Sequence, residues 1–132
     1  MRVLLFTLIL FLPSLALADE EYLYCMDLAA DINKKLPLKI DELTKVKSTT
    51  CKKGDPITFQ YFYYIERAIS PEEITKFESY LNNSFKTVLG PWCTNPEQQL
   101  LLGLFDVKYL YYDLNDKYLG EVKITQNDCS RK

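Results

Sequence analysis

The pattern of apolar and polar positions divides the chain into two halves, each with a helix followed by two strands. In the first half, apolar residues three or four positions apart predict a helix over residues 20–35, and Pro37 stops it. Alternation then predicts strands over residues 44–51 and 57–66, separated by a turn at residues 52–56. The second of these strands has four apolar or aromatic side chains on one face, namely Phe59, Tyr61, Tyr63 and Ile65.

The second half begins with the residues of a capping box. Ser70, Pro71 and Glu73 predict the start of a helix, and Gly90 followed by Pro91 predicts its end near residue 89. A similar Thr-Asn-Pro-Glu sequence at residues 94–97 predicts a short leucine-rich helix, which Gly103 helps to end. The period then changes to two, which predicts strands over residues 105–112 and 118–125.

The resulting element order is α-β-β-α-α-β-β. Consecutive strands joined by short turns pair as antiparallel hairpins, and a chain of this size buries one core. We therefore expect an α+β fold in which two hairpins form one antiparallel four-stranded sheet, with the helices packed on one face of it.

The strands over residues 57–66 and 105–112 have four large side chains on the face opposite the one that the helices are expected to cover. If helices pack on the face with Tyr61 and Tyr109, alternation places a second set on the reverse side, here called the aromatic patch: Phe62, Tyr64, Leu110 and Tyr112. An apolar patch of this kind commonly marks an interface with a partner. The alternatives are that the first helix covers it, or that a second subunit does so in a homodimer.

The N-terminus has the three-part organisation of a secretory signal peptide. Arg2 precedes an apolar run, and the small residues Ala16 and Ala18 suit cleavage after residue 18. The run is short for a membrane anchor, so we expect a cleaved signal peptide at 1–18 and a single domain at 19–132. This predicts a periplasmic or secreted protein without stable membrane insertion after cleavage.

Four cysteines follow the predicted cleavage site: Cys25, Cys51, Cys93 and Cys129. An even number of cysteines in an exported chain indicates disulfide bonds, and four cysteines allow three pairings. Pairing Cys25 with Cys51 and Cys93 with Cys129 is favoured because each bond then closes one half of the chain, although the sequence leaves the pairing open. The longer loop of the second pair predicts that its loss costs more stability.

Composition excludes several kinds of chemistry. The chain has no histidine, which removes histidine-based nucleophilic triads and the usual base near neutral pH. With 16 basic and 18 acidic residues, it has no basic field for nucleic acid. No C-x-x-C spacing suggests a zinc site, and no other feature predicts a metal or cofactor. We therefore expect no catalytic residues and no enzyme.

The C-terminal half resembles a set of small, largely uncharacterised exported proteins of Gram-negative bacteria. The resemblance rests on the Cys-Thr-x-Pro-Glu sequence at residues 93–97, the aromatic strand at 109–113 and the Asp-Cys pair at 128–129. It implies a periplasmic or secreted location and a bond between Cys93 and Cys129. The resemblance does not imply any particular activity.

The function hypothesis that follows is an exported, non-catalytic module that binds another envelope or secreted protein. Such a module would be an accessory factor, an inhibitor or an immunity protein. The first alternative is a carrier whose ten tyrosines line a small-ligand pocket. The second is a hydrolase that depends on carboxylates.

Overall fold

The computed structural model describes residues 20–130, and the predicted signal peptide lies outside this range. In chain order the elements are α1 (residues 20–33), β1 (Leu38–Lys39), β2 (Thr44–Lys52), β3 (Ile57–Ile65), α2 (Pro71–Thr94), α3 (Pro96–Leu104), β4 (Phe105–Tyr112), β5 (Tyr118–Ile124) and α4 (Gln126–Cys129). Among the helices of residues 20–130, none combines the length and apolarity needed to span a membrane.

The strands form one sheet in the order β1-β2-β3-β4-β5, in which β3 and β4 are parallel and the other neighbours are antiparallel. The α+β class and both predicted hairpins are confirmed, but the four-stranded antiparallel sheet is wrong. One reason is β1, whose two residues are too few to show a pattern. The other is that α2 and α3 return the chain to the start of β3, and such a crossover makes β3 and β4 parallel.

Helix α2 continues past its predicted end. It passes through Gly90 and Pro91 and ends at Thr94, so the predicted end near residue 89 is wrong. Proline inside a helix removes one backbone hydrogen bond. Here the next residues compensate, because Trp92 is buried in the core and Cys93 is bonded to α4.

The cap of α3 is also one residue later than the sequence suggested. The Asn95 side chain accepts hydrogen bonds from the amides of Glu97 (3.0 Å) and Gln98 (3.2 Å), whereas the Thr94 hydroxyl donates to the Gly90 carbonyl within α2. Gly103 lies inside the helix, which continues to Leu104. The four-residue helix α4 was not predicted, because it is too short to show a period.

The core lies on one face of the sheet, which confirms that the helices pack on a single side. Cys25 and Ala29 of α1 pack with Phe59 and Phe105 at one end. Helices α2 and α3 cover the remainder of this face, where the buried residues of the larger cluster include Phe77, Trp92, Leu102, Val107, Tyr109, Tyr111, Leu119, Val122 and Ile124.

Two disulfide bonds fasten helices to the rest of the fold. Cys25 of α1 is bonded to Cys51 of β2, and Cys93 at the end of α2 is bonded to Cys129 of α4. This is the pairing that the division into two halves favours. The first bond therefore ties α1 to the sheet, and the second ties the end of α2 to α4.

Candidate partner-binding site

The aromatic patch lies on the sheet face opposite the helices. The parallel register of β3 and β4 places Phe62 beside Leu110 and Tyr64 beside Tyr112. All four side chains are half-buried, and the Tyr112 ring lies 5.4 Å from the Tyr64 ring and 6.2 Å from the Phe62 ring, centroid to centroid. The four residues that alternation placed on the open face therefore form one contiguous surface. Helix α1 lies on the other face of the sheet.

Tyr118 adjoins the aromatic patch, although the alternation along residues 118–125 did not predict it there. Its ring lies 5.7 Å from that of Tyr112, and 48% of the residue is exposed. Strict alternation along β5 would place Tyr118 on the helix side with Val122. A bulge shifts the pairing, however, so that Leu119 turns into the core and Tyr118 turns outward. The signal for this was Gly120, which has a positive φ of 149°.

The turn that joins β4 to β5 is organised by Asp113. This buried carboxylate accepts hydrogen bonds from the amides of Asn115 (2.8 Å), Lys117 (3.0 Å) and Ile69 (3.2 Å). Burial alone would raise the pKa of Asp113, but these amides outweigh it and hold the pKa below its ordinary value. Because Asp113 fixes this turn, it also fixes the positions of Tyr112 and Tyr118, which lie on either side of the turn.

Ion pairs lie beside the aromatic patch on the same face. Lys108 lies 3.2 Å from Glu121, and Lys123 lies 3.6 Å from Asp106. The ammonium of Lys47 lies 4.0 Å from the centre of the Tyr64 ring, a cation–π contact. The face thus has an aromatic centre and a charged margin, which is the general organisation of a protein-binding surface.

The phenols of Tyr118 and Tyr64 stay protonated at neutral pH. Burial, together with the hydrogen bond to Glu121 (2.7 Å), raises the pKa of Tyr118 to about 12. The pKa of Tyr64 is also raised, by burial and then by the negative charge of Asp116. The Tyr64 hydroxyl can donate a hydrogen bond to a partner, whereas the Tyr118 hydroxyl already donates its proton to Glu121. Neither phenol supplies a base or a nucleophile.

A groove lies on the helix side of the sheet, between β2 and the start of α2. This groove has a volume of about 310 Å³; its apolar lining includes Leu43, Ile65, Ile69, Phe77 and Tyr80, and charged residues stand at its rim. Its single tyrosine differs from the tyrosine-lined pocket that the sequence suggested. Tyr61, Tyr63, Tyr109 and Tyr111 instead pack against one another on the core face of the sheet.

Two carboxylates at the groove rim bear on the hydrolase alternative. The backbone amide of Leu43, 2.9 Å away, lowers the pKa of Asp41, and the Arg67 guanidinium, 2.7 Å away, lowers the pKa of Glu73. A glycosidase-type general acid needs a raised pKa in order to hold its proton at neutral pH. The lowered pKa values of Asp41 and Glu73 are therefore the opposite of what a general acid requires. Within residues 20–130, no group of three or more histidine, cysteine or acidic residues is placed to bind a metal.

The fold is known from solved structures. No family model matches the sequence, and no curated protein matches it either. A Pseudomonas aeruginosa protein described as secreted has a TM-score of 0.61 and 13% identity, over 83% of this chain and 96% of its own. EpsS, the pilotin of the Vibrio vulnificus type 2 secretion system, has a TM-score of 0.63 and 11% identity, over 86% and 96%. AspS, the type II secretion pilotin of Vibrio cholerae, has a TM-score of 0.54 and 16% identity, over 88% and 99%. At these identities the likeness shows the fold.

Proposed function

We propose that this chain is an exported, non-catalytic module that binds another protein of the bacterial envelope through the aromatic patch. The observation that carries the proposal is the position of this patch. It lies on the two central strands of a sheet face that no helix within residues 20–130 covers, and ion pairs lie beside it.

The chemistry of the patch suits protein recognition better than catalysis. Tyrosine and phenylalanine are enriched at interfaces because they bury a large area at a small entropic cost. Tyr64 and Tyr112 stack, so their rings are held in position before a partner arrives. The salt bridges at the margin would steer and orient that partner more than they would add affinity.

The structural likenesses narrow the class of partner. Two of the similar proteins are pilotins of type II secretion systems and the third is described as secreted. A shared fold together with the predicted signal peptide supports a periplasmic or secreted location. An accessory factor is therefore better supported than an inhibitor or an immunity protein, and a component of a secretion assembly is its first candidate partner.

Site-specific photo-crosslinking tests this proposal. A photoreactive residue at position 112 should crosslink to a heterologous envelope protein, whereas the same residue at Asn82, on the exposed side of α2, should not. Replacing Phe62, Tyr64, Leu110 and Tyr112 with serine should abolish capture by tagged protein while leaving the far-ultraviolet circular dichroism unchanged. The proposal fails if position 112 yields no heterologous product, or if the folded serine variant still captures the partner.

Small-ligand carriage is the second candidate, and the groove next to α2 is the observation that favours it. Its volume of about 310 Å³ lies at the lower end of the range for drug-sized ligands. Native mass spectrometry of the purified protein would reveal a co-purified ligand as added mass. Substituting Phe77, which lines the groove, should then remove that mass, whereas the serine variant of the aromatic patch should retain it.

A further inference from the structure

The two edges of the sheet are protected to different extents. Beyond β2, the short strand β1 pairs with Val46 and Lys45. The carboxamide of Asn33 then continues this protection, because it accepts a hydrogen bond from the Thr49 amide (2.7 Å) and donates one to the Thr49 carbonyl (3.0 Å). At the opposite edge, β5 has β4 on one side and, within residues 20–130, no strand on the other.

An exposed edge strand is a template for pairing with another chain. Proteins commonly block such edges with very short strands, proline, lysine side chains or β-bulges. The bulge of β5 lies at its start, beside Gly120, and leaves residues 121–124 in regular pairing with β4. Strand β5 is seven residues long and contains no proline. Its charged residues Glu121 and Lys123 point to the open face, and Val122 and Ile124 point into the core, so the pleat is regular over this stretch.

We infer that β5 pairs with β5 of a second copy of this chain. The pairing is antiparallel, and its two-fold axis is perpendicular to the sheet and passes midway between the two copies of Val122. Residues directly opposite each other in an antiparallel pair lie on the same face. Glu121 of each copy therefore lies opposite Lys123 of the other, and Val122 lies opposite Val122.

The charges on β5 select this register over its neighbours. In this arrangement the helices of both copies lie on the same side of the sheet. The register can therefore shift only in ways that keep core-facing residues of β5 opposite core-facing residues of the second copy. An axis through Glu121 would place the two copies of Glu121 opposite each other, and an axis through Lys123 would do the same for lysine. Like charges directly opposite are destabilising. An axis through Gly120 would fall on the bulge, where alternation is broken.

The pairing also joins existing ion pairs into longer rows. Glu121 already contacts Lys108 of its own chain at 3.2 Å, and Lys123 contacts Asp106 at 3.6 Å. Across the two-fold axis, four charged residues then form one row. Lys108 and Glu121 come from one copy, Lys123 and Asp106 come from the other, and the sign of the charge alternates along the row. The same row is repeated by symmetry, as in any isologous interface. The product is a continuous ten-stranded sheet with both aromatic patches on one face.

Charge reversal tests this inference through the oligomeric state. The wild-type protein should sediment as a dimer that dissociates on dilution. The single variants Glu121→Lys and Lys123→Glu should each raise the dimer dissociation constant at least about tenfold, because each places two pairs of like charges across the axis. Lys86→Glu, an exposed change on α2, is the matched control and should leave the constant unchanged.

Mixing the two single variants separates a pairing effect from damage to the fold. In the mixture, the lysines of one variant face the glutamates of the other, so a heterodimer should form although neither variant dimerises well alone. The inference is overturned if the wild-type protein is a monomer throughout the dilution series, if the reversals leave the dimer intact, or if the mixture stays monomeric. The serine variant of the aromatic patch should still dimerise, so this result is independent of the proposed function.

Discussion

At the scale of single residues, the hydrogen bond between Trp92 and Tyr109 links α2 to the centre of the sheet. The indole N–H of Trp92 donates to the Tyr109 hydroxyl at 2.7 Å, and both residues are buried. A buried donor that loses its acceptor pays the cost of desolvation without compensation. The bond therefore makes the end of α2, which lies beyond Pro91, dependent on one phenol of β4.

Tyr109→Phe should lower the free energy of unfolding by about 1–3 kcal/mol, because it leaves the Trp92 N–H without its partner while changing the shape of the core very little. Chemical denaturation followed by tryptophan fluorescence measures this loss. Tyr80→Phe removes a phenol from an exposed position and is the matched control. A loss for Tyr109→Phe no larger than that of the control would contradict this role for the hydrogen bond.

At the scale of elements, local chemistry predicted most of the helices and strands but not their assembly. The start of α2 followed from Ser70 and Glu73, whose side chains form the capping box that the structure contains. The strands followed from alternation, which depends only on near neighbours. The parallel pairing of β3 with β4 depends on the path of the chain through α2 and α3, and no residue pattern within either strand specifies it.

Gly120 shows how one position in an element controls the orientation of its neighbours. Its φ of 149° is rarely adopted by other residues, and an added Cβ would lie 2.5 Å from Cδ1 of Leu81 in α2. Gly120→Ala should therefore cost about 1–3 kcal/mol of stability through backbone strain and crowding. The matched change is Gly103→Ala, where a Cβ would make only an ordinary contact at 3.9 Å with Gln126.

Gly103→Ala should leave stability unchanged or raise it by up to about 1 kcal/mol, since alanine favours the helix. Thermal melting of the two alanine variants, side by side with the wild-type protein, measures the contrast. Equal melting temperatures for the two variants would show that the bulge at Gly120 does not require glycine.

At the scale of the whole molecule, the sequence predicted the aromatic patch but not everything beside it. Phe62, Tyr64, Leu110 and Tyr112 were found because both strands alternate strictly. Tyr118 was missed because a bulge breaks alternation in β5, and the bulge exists only in relation to β4. The groove next to α2 could not be predicted either, because its lining comes from segments that are distant in sequence.

The two disulfide bonds provide the last prediction at this scale, and here the structure changes the expectation from loop length. The sequence separations are 26 residues for Cys25–Cys51 and 36 for Cys93–Cys129. In the chain-entropy model this difference favours the second bond by only about 0.3 kcal/mol. The larger difference lies in the burial of one cysteine: Cys25 is completely buried, whereas Cys51, Cys93 and Cys129 are half-buried.

Removing the first bond should therefore cost more, since it also leaves a gap among the apolar residues beneath α1, beside Phe59 and Phe105. We expect the double variant Cys25→Ala/Cys51→Ala to melt at a lower temperature than Cys93→Ala/Cys129→Ala, with each below the wild-type protein. Calorimetry under identical conditions measures both. The opposite order would mean that the contacts at the C-terminal bond, where Trp92 lies next to Cys93, contribute more to stability than the packing of α1 on the sheet.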